Sequence, residues 1–516
     1  MGSAPARERP TVTFDRHALT LEDIVAISHR GSVAALSPDP VYRAFIQRGA
    51  DFVDRTLREA GVIYGVTTGF GDSVTTVVPP ELLGELARNL YTFHGVGLGA
   101  FLSPEQTRAS MAARLASLAR GYSGVSVELL EQLTALLAHD ILPLIPSEGS
   151  VGASGDLTPL SYVAAVMCGE REVLYGGARL PAAKALAAAG LRPIALRPKE
   201  GLAVLNGTSV MTGIACLAWE RADYLARLAT RITAMSSVAL DGNPDHFDAA
   251  LFALKPHPGQ ALAAARINGD LIASRPSRVE RRLQDRYSIR CAPHVIGVLL
   301  DALDWARTWI ETELNSSNDN PLIDADAGRV LHGGHFYGGH IAFAMDALKI
   351  AVANVADLLD RQFALLVDPH FNHGLPANLT GATGARAPIN HGLKALQIAA
   401  SAWTAEALKA TMPASVFSRS TESHNQDKVS MGTVAARDCT RVLELSEQVA
   451  AAMLIGARQG VVLRGRLNDL PLTPAVASTV QWLGEVVPPI AEDRALDGEL
   501  RALLARLNAR SWEPYD

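Results

Sequence analysis

Cysteine is scarce in this chain, four in 516 residues, and Cys168, Cys216, Cys291 and Cys439 stand far apart with no CxxC pair. That pattern argues against a disulfide framework and against a cysteine zinc site, and it leads to an expectation of reduced thiols in the cytoplasm. Positive charge is not in excess either. A net charge of −6 gives no reason to expect nucleic acid or an anionic membrane as partner. The opening stretch "MGSAPARERP" lacks the hydrophobic core of a signal peptide, and Ala6 stands where N-myristoylation requires Ser or Thr. No window is apolar enough for long enough to cross a bilayer. Internal repeats of about 20–50 residues and low-complexity tracts are missing as well.

What is present is apolar character, 48% of residues against 19% charged. A chain of this length and composition has much to bury, in two or more sub-structures or in one elongated helical body. Up to about residue 208 the sequence mixes helical patterns with Gly/Pro-rich turns, such as "YGVTTGFGDS", "IPSEGSVGASGD" and "LYGGARLPAA". Beyond that the helix breakers thin out. Residues 209–240 contain no proline, and 341–366 place Asp346, Lys349, Asn354, Asp357 and Asp360/Arg361 near a 3.6-residue period. Segments 295–315, 388–412 and 432–458 read the same way. A 30-residue helix is roughly 45 Å long, so such helices must pack in a large bundle or against other subunits. Strand signals are weak and confined to short pieces such as "REVLYGG" and "GLAVLNG". The expected fold class is mainly α, with a turn-rich domain over 1–208 and a long-helix domain over 209–516.

The stretch Gly149–Leu160, "GSVGASGDLTPL", gathers small residues in front of a helix start. A nucleophile elbow needs G-x-S-x-G, but here the second glycine arrives one place early. A phosphate loop needs a lysine, and none is present. Two readings remain. In one, Ser154 or Asp156 caps a helix behind a glycine-rich loop. In the other, the amide nitrogen of Gly155 reaches the carbonyl carbon of Ala153, an approach that side chains on the flanks would block. Loss of water from Ser154 would then leave an exocyclic methylidene, an electrophile that no ordinary side chain supplies.

"GSVGASGDLTPL" resembles the signature of the aromatic amino acid and histidine ammonia lyases, together with their aminomutase relatives. The resemblance runs in the family's order from Tyr64 to Met431, covering most of the chain. It implies that Ala153, Ser154 and Gly155 form a methylidene-imidazolone (MIO), with no external cofactor or metal, backed by helix N-termini. "YGVTTGFGDS" (64–73) resembles the family's mobile active-site loop, so Tyr64 is matched to the catalytic base. Its hydroxyl, ordinarily near a pKa of ~10, would need nearby positive potential to lower it. "GLAVLNGTS" (201–209) presents Asn206, similar to the asparagine beside the ring and the substrate carboxylate. In "QDRYSIRCAPHVIG" (284–297), Arg290 matches the carboxylate clamp and Tyr287 a residue that positions the ring or relays a proton; at i and i+3 the two could share a helical face. The ordinary alternative for Arg290 is a surface pair with Asp285. Phe336, in "HGGHFYGGH" (332–340), matches an aromatic packed near the ring. His294, His335 and Tyr337 depart from the family's usual residues. His332, His335 and His340 lack the further ligand that a metal site requires.

Two places bear on the substrate. Phenylalanine-selective members carry Phe-Leu, tyrosine-selective ones His-Leu and histidine lyases Ser-His where this chain has Phe93-His94. Phe93 suits a phenyl ring, while His94 can hydrogen-bond a phenol or an imidazole. In "TESHNQDKVSMG" (421–432), Gln426 stands where histidine lyases typically carry glutamate. The expected reaction is loss of ammonia from L-Phe or L-Tyr, giving trans-cinnamate or p-coumarate. A 2,3-aminomutase is the alternative and a histidine lyase forming urocanate the third reading. The partner is a small aromatic amino acid. The resemblance further implies a homotetramer whose composite sites draw Tyr64, Arg290 and Gln426 from different subunits.

Overall fold

A computed structural model describes residues 9–59, 61–272, 283–467 and 471–515. The residues that carried the reading of the extreme N-terminus lie almost wholly outside the described ones. The fold is mainly α, as expected. Its longest helices are Ser209–Ala239, Ala292–Leu314, Gly339–Val367 and Gly432–Leu467. No helix among the described residues is long and apolar enough to cross a membrane.

Two compact units emerge. One comprises the chain up to Ala218 with Arg307–Asp346 and Pro413–Arg437; the other comprises Trp219–Ala306, Ala347–Met412 and Asp438 onward. Each is assembled from separated stretches of sequence.

The polar positions of 341–366 do not form one solvated stripe. Asp346, Lys349 and Asp360 are buried. In the first unit Asp346 accepts the backbone N–H groups of Ala414 and Ser415, both at 2.9 Å. In the second, Lys349 meets Asp438 at 3.3 Å. Burial of such groups is tolerable only because they are paired. The helix expected over 388–412 begins at Lys394. Pro388 lies in a preceding 3-10 turn, Gly392 has φ +55°, and the N–H groups of His391 and Gly392 are taken by the Asp493 carboxylate.

Strands are short but more widely spread than expected. "REVLYGG" does form a strand, Glu172–Tyr175, between Leu142–Pro143 and Ala178–Pro181. Thr11–Phe14 pairs in parallel with Val33–Leu36. Leu98–Phe101 pairs with Pro146–Glu148, and Leu322–Asp324 with Arg329–Leu331, both antiparallel. "GLAVLNG" is the opposite case: Glu200–Leu205 is a buried helical segment. The Glu200 carboxylate holds its entry by accepting the Ser126 and Arg197 N–H groups, and a Cβ on Gly201 would meet the Ala87 side chain at 2.9 Å. Close packing thus overrides the β-branched and apolar pattern of this segment.

The reactive-looking loop is fastened where long helices begin. Asp156 stands at the cap position of Leu157–Met167 but makes no side-chain bond to that helix. One carboxylate oxygen instead accepts the N–H groups of Val210 and Met211, each at 2.9 Å, in the first turn of Ser209–Ala239. The other accepts the Thr433 hydroxyl at the start of Gly432–Leu467. Asp156, not Ser154, is therefore the capping residue, and the helix it caps is a distant one in sequence. Burial pushes its carboxyl up to about 6, against the pull of these donors. Asp156→Asn replaces two acceptor oxygens with one and is expected to cost about 1–3 kcal/mol, read as a lowered unfolding midpoint in denaturant.

Candidate functional site

Ser154 and Gly155 both lie in the left-handed region, with φ +49° and +80°. A Cβ at Gly155 would stand 2.1 Å from the Gly207 carbonyl oxygen, so only glycine fits there. The Asp156 N–H donates to that same oxygen at 2.7 Å. In return the Ser154 carbonyl accepts two bonds, from Asn206 Nδ2 at 3.1 Å and from the Gly207 N–H at 3.1 Å. On the other flank Met431 N–H donates to the Val151 carbonyl, and a Cβ on Gly152 would meet Ser430 Oγ at 2.3 Å. The helix N-termini at Leu157, Ser209 and Gly432 thus lie around the loop, an arrangement that favours negative charge between them.

These residues fit the methylidene-imidazolone implied by the sequence. Gly155 carries no Cβ beside its nitrogen, and the Ser154 carbonyl oxygen, exocyclic on the ring of that group, already faces two converging donors.

Ala153 and Ser154 line a cavity of about 740 Å³ in the first unit, together with Tyr64, Phe93, His94, Asn206, Phe336 and Gln426. Tyr64 is placed by its neighbours. Ile63 and Val66 are fully buried against Phe52, Val53 and Ile323, which anchors the start of the 64–76 loop. The Gly71 N–H donates to Tyr64 Oη at 2.7 Å. Burial holds the Tyr64 hydroxyl above its ordinary value; the Gly71 N–H acts in the opposite direction, and the Glu422 charge raises it further. The lowering expected from the sequence is therefore reversed within one chain, where desolvation dominates.

Phe93 and His94 end the helix Leu83–Phe93, with ring centroids 4.3 Å apart. His94 Nδ1 lies 2.9 Å from the Leu90 carbonyl. A carbonyl only accepts, so Nδ1 carries the proton and Nε2 is left as an acceptor. Burial lowers the His94 pKa, which keeps the ring neutral at pH 7. Gln426 donates from Nε2 to Ser154 Oγ at 3.4 Å, while its Oε1 accepts the Thr421 hydroxyl at 3.0 Å. Tyr64 and Gln426 thus belong to one cavity of one chain, which corrects their assignment to different subunits: the 421–429 segment folds against the 64–76 loop.

Tyr287 and Arg290 belong to the second unit and are not among the residues lining this cavity. They form the short helix Tyr287–Arg290, with the guanidinium 4.6 Å from the tyrosine ring. Arg290 Nε donates to the backbone carbonyl of Asp285 at 3.0 Å. The Asp285 carboxylate instead accepts the Asn243 N–H at 2.7 Å, so the surface pair considered for Arg290 does not form. Tyr287 is 72% exposed. His294 packs 5.4 Å from Phe252, and burial lowers its pKa. Tyr337 lines the cavity of the first unit, whereas His335 is exposed. Among the described residues no group of three or more His, Cys, Asp or Glu side chains could hold a metal ion.

Sequence reasoning missed Glu422. Its carboxylate accepts the Asp72 N–H at 2.9 and 3.2 Å, and it opens a run of three left-handed residues, Glu422, Ser423 and His424. A carboxylate within "TESHNQD" was visible, but nothing local linked it to a loop 350 residues away. Glu422→Ala removes the acceptor for Asp72 and is expected to speed backbone hydrogen exchange over 70–76; unchanged exchange would show that the contact does not hold the loop.

The sequence profile of the aromatic amino acid lyase family matches residues 19–483. A histidine ammonia-lyase from Gloeobacter violaceus is 39% identical over 96% of this chain and 95% of its own length. A tyrosine ammonia-lyase from Cupriavidus metallidurans is 38% identical, again over 96% and 95%. Among solved structures, tyrosine aminomutase from Streptomyces globisporus superposes with a TM-score of 0.90 at 34% identity, covering 97% of each chain. With its small-residue loop held at the N-termini of long helices and lining a cavity, and with these matches over nearly its whole length, the chain belongs to the aromatic amino acid lyases, carbon–nitrogen lyases of the ammonia-lyase class that act on amino acids as small-molecule substrates.

Proposed function

We propose that this enzyme eliminates ammonia from L-tyrosine and L-phenylalanine, giving p-coumarate and trans-cinnamate. The observation that carries the substrate reading is the pairing of Phe93 with a neutral His94 on the same cavity as Ser154. Phe93 offers an apolar face, and His94 Nε2 can accept the hydroxyl of a phenol. Gln426, a neutral amide, supplies no charge to a cationic imidazole.

Ala153, Ser154 and Gly155 would form the prosthetic group themselves. A bond forms from Gly155 N to the Ala153 carbonyl carbon, whose oxygen leaves as water. Ser154 then loses its α-hydrogen and hydroxyl as a second water. When formed, the group supplies an electrophile for the substrate amine. Tyr64, as the phenolate, takes the β-proton, a role in which general bases typically contribute about 10²–10⁴-fold. Asn206 lies beside the ring carbonyl, and Phe336 bounds the space for the substrate.

The carboxylate clamp, Arg290, would reach this cavity from a neighbouring subunit, with Tyr287 beside it. A homotetramer would supply such composite sites and would bring positive charge to lower Tyr64. Co-assembled chains carrying Ser154→Ala and Arg290→Met separately are then expected to regain a fraction of the activity that each homogeneous variant lacks. Failure to regain any would contradict the shared site.

The reaction is tested by incubating the enzyme with L-Phe, L-Tyr and L-His separately and following ammonia and products by chromatography. Coumarate and cinnamate are expected. A β-amino acid at early times would point to an aminomutase, a reading favoured by the likeness to tyrosine aminomutase. Urocanate as the main product would overturn the substrate assignment in favour of the histidine ammonia-lyase relatives.

A further inference from the structure

Behind the Ser154 carbonyl lies a charge that the chemistry above does not use. Arg114 sits in the Ala-rich helix Pro104–Ala119 and is completely buried. Its Nη1 donates to the Asn206 carbonyl at 3.0 Å and to Asn318 Oδ1 at 3.2 Å, with Ser209 Oγ at 3.4 Å. Its Nη2 reaches Ser117 Oγ at 3.5 Å. Nε has no hydrogen-bond partner among the described residues. A Cβ on Gly207 would stand 2.1 Å from Nη1, so the backbone lies directly on the guanidinium. Burial of an arginine without a direct carboxylate partner is costly, and it persists here beside Asp319, which is itself bound to buried Lys199 at 2.7 Å.

The position of the charge is what matters. The Asn206 carbonyl and the Gly207 N–H belong to one peptide group. A cation on the carbonyl draws electron density through that peptide and makes the N–H a stronger donor. That N–H donates to the Ser154 carbonyl at 3.1 Å, beside Asn206 Nδ2. We propose that Arg114 is a positioning residue for maturation: acting through the Asn206–Gly207 peptide, it speeds the dehydration of Ser154. The inference rests on the reading that Ala153–Gly155 forms the prosthetic group.

The step balances without any added reagent. The Ser154 Cα–H is lost as a proton, its electron pair becomes the Cα=Cβ bond, and the Cβ–Oγ bond breaks to release hydroxide, which leaves with the proton as water. Electron density drawn toward the Ser154 carbonyl oxygen acidifies that α-hydrogen. Donors aimed at such an oxygen act most strongly in a site closed to water.

The test is the mass of the peptide spanning 149–160 in the purified full chain, compared with Ser154→Ala, which cannot lose the serine water. The wild-type peptide is expected to be short of two waters. Arg114→Gln is expected to retain the serine water in most molecules and to lose it about tenfold more slowly on incubation, less than the ~10²-fold or greater loss for removing a direct oxyanion donor. Arg114→Lys, which keeps the charge, is expected to fall between the two. Circular dichroism establishes that each variant is folded. If Arg114→Gln does not fold, Arg114→Met takes its place as the neutral variant and is read against Arg114→Lys in the same way. Full dehydration of the folded neutral variant at the wild-type rate overturns the role, and so does equal loss in both variants, which would mark a purely structural part. A wild-type peptide of unreduced mass would instead overturn the prosthetic-group reading itself.

Discussion

The close approach of two glycines, Gly155 and Gly207, is the constraint on which the candidate site depends. With no side chain on either, the two backbones exchange hydrogen bonds across a parallel bridge. The Ser154 carbonyl is thereby aimed at the Gly207 N–H and the Asn206 amide. A methyl group at either position would drive into a carbonyl oxygen or a guanidinium. The geometry is fixed by sterics on one side and by charge on the other.

The long helices serve the loop as much as they build the core. Asp156 ties the loop to the first turns of two helices, through the N–H groups of Val210 and Met211 and the Thr433 hydroxyl. Gly338, just before the helix Gly339–Val367, and Gly432, which opens the helix that carries Thr433, both lie where a Cβ would strike Met211 Sδ. The result is a cluster of helix N-termini around a few small residues. Their partial positive charges converge on the region where the chemistry asks for electron density to be held. Mainly helical architecture and reactive loop are one design problem, because helices this long have N-termini to spare and aliphatic faces to bury.

Much of this was legible in the sequence, and the reason is local. The Ala153–Gly155 triplet was legible through the whole stretch Gly149–Leu160 and the family-like segments in order around it, since the triplet alone also suited a helix entry. The proline-free stretches over 209–240 and 432–458 became helices because little in them stops one. Other features were hidden because their meaning depends on distant partners. Arg114 stands in "ASMAARLASLA" like any surface arginine, and only the fold shows it buried. "GLAVLNG" carries a strand-like pattern, yet the Glu200 contacts and the Ala87 neighbour hold it helical. Glu422 acquires its role only when Asp72 arrives beside it. The burial of Tyr64 was hidden for the same reason, since burial is a property of the fold rather than of the motif.

The central claim is that this backbone closes on itself, and electron density over residues 153–155 in a crystal of the purified protein tests it most directly. The account predicts a five-membered ring, with continuous density joining Gly155 N to the Ala153 carbonyl carbon and a planar Cβ on residue 154. An open chain with a tetrahedral serine and separate Ala153 and Gly155 peptides would contradict it.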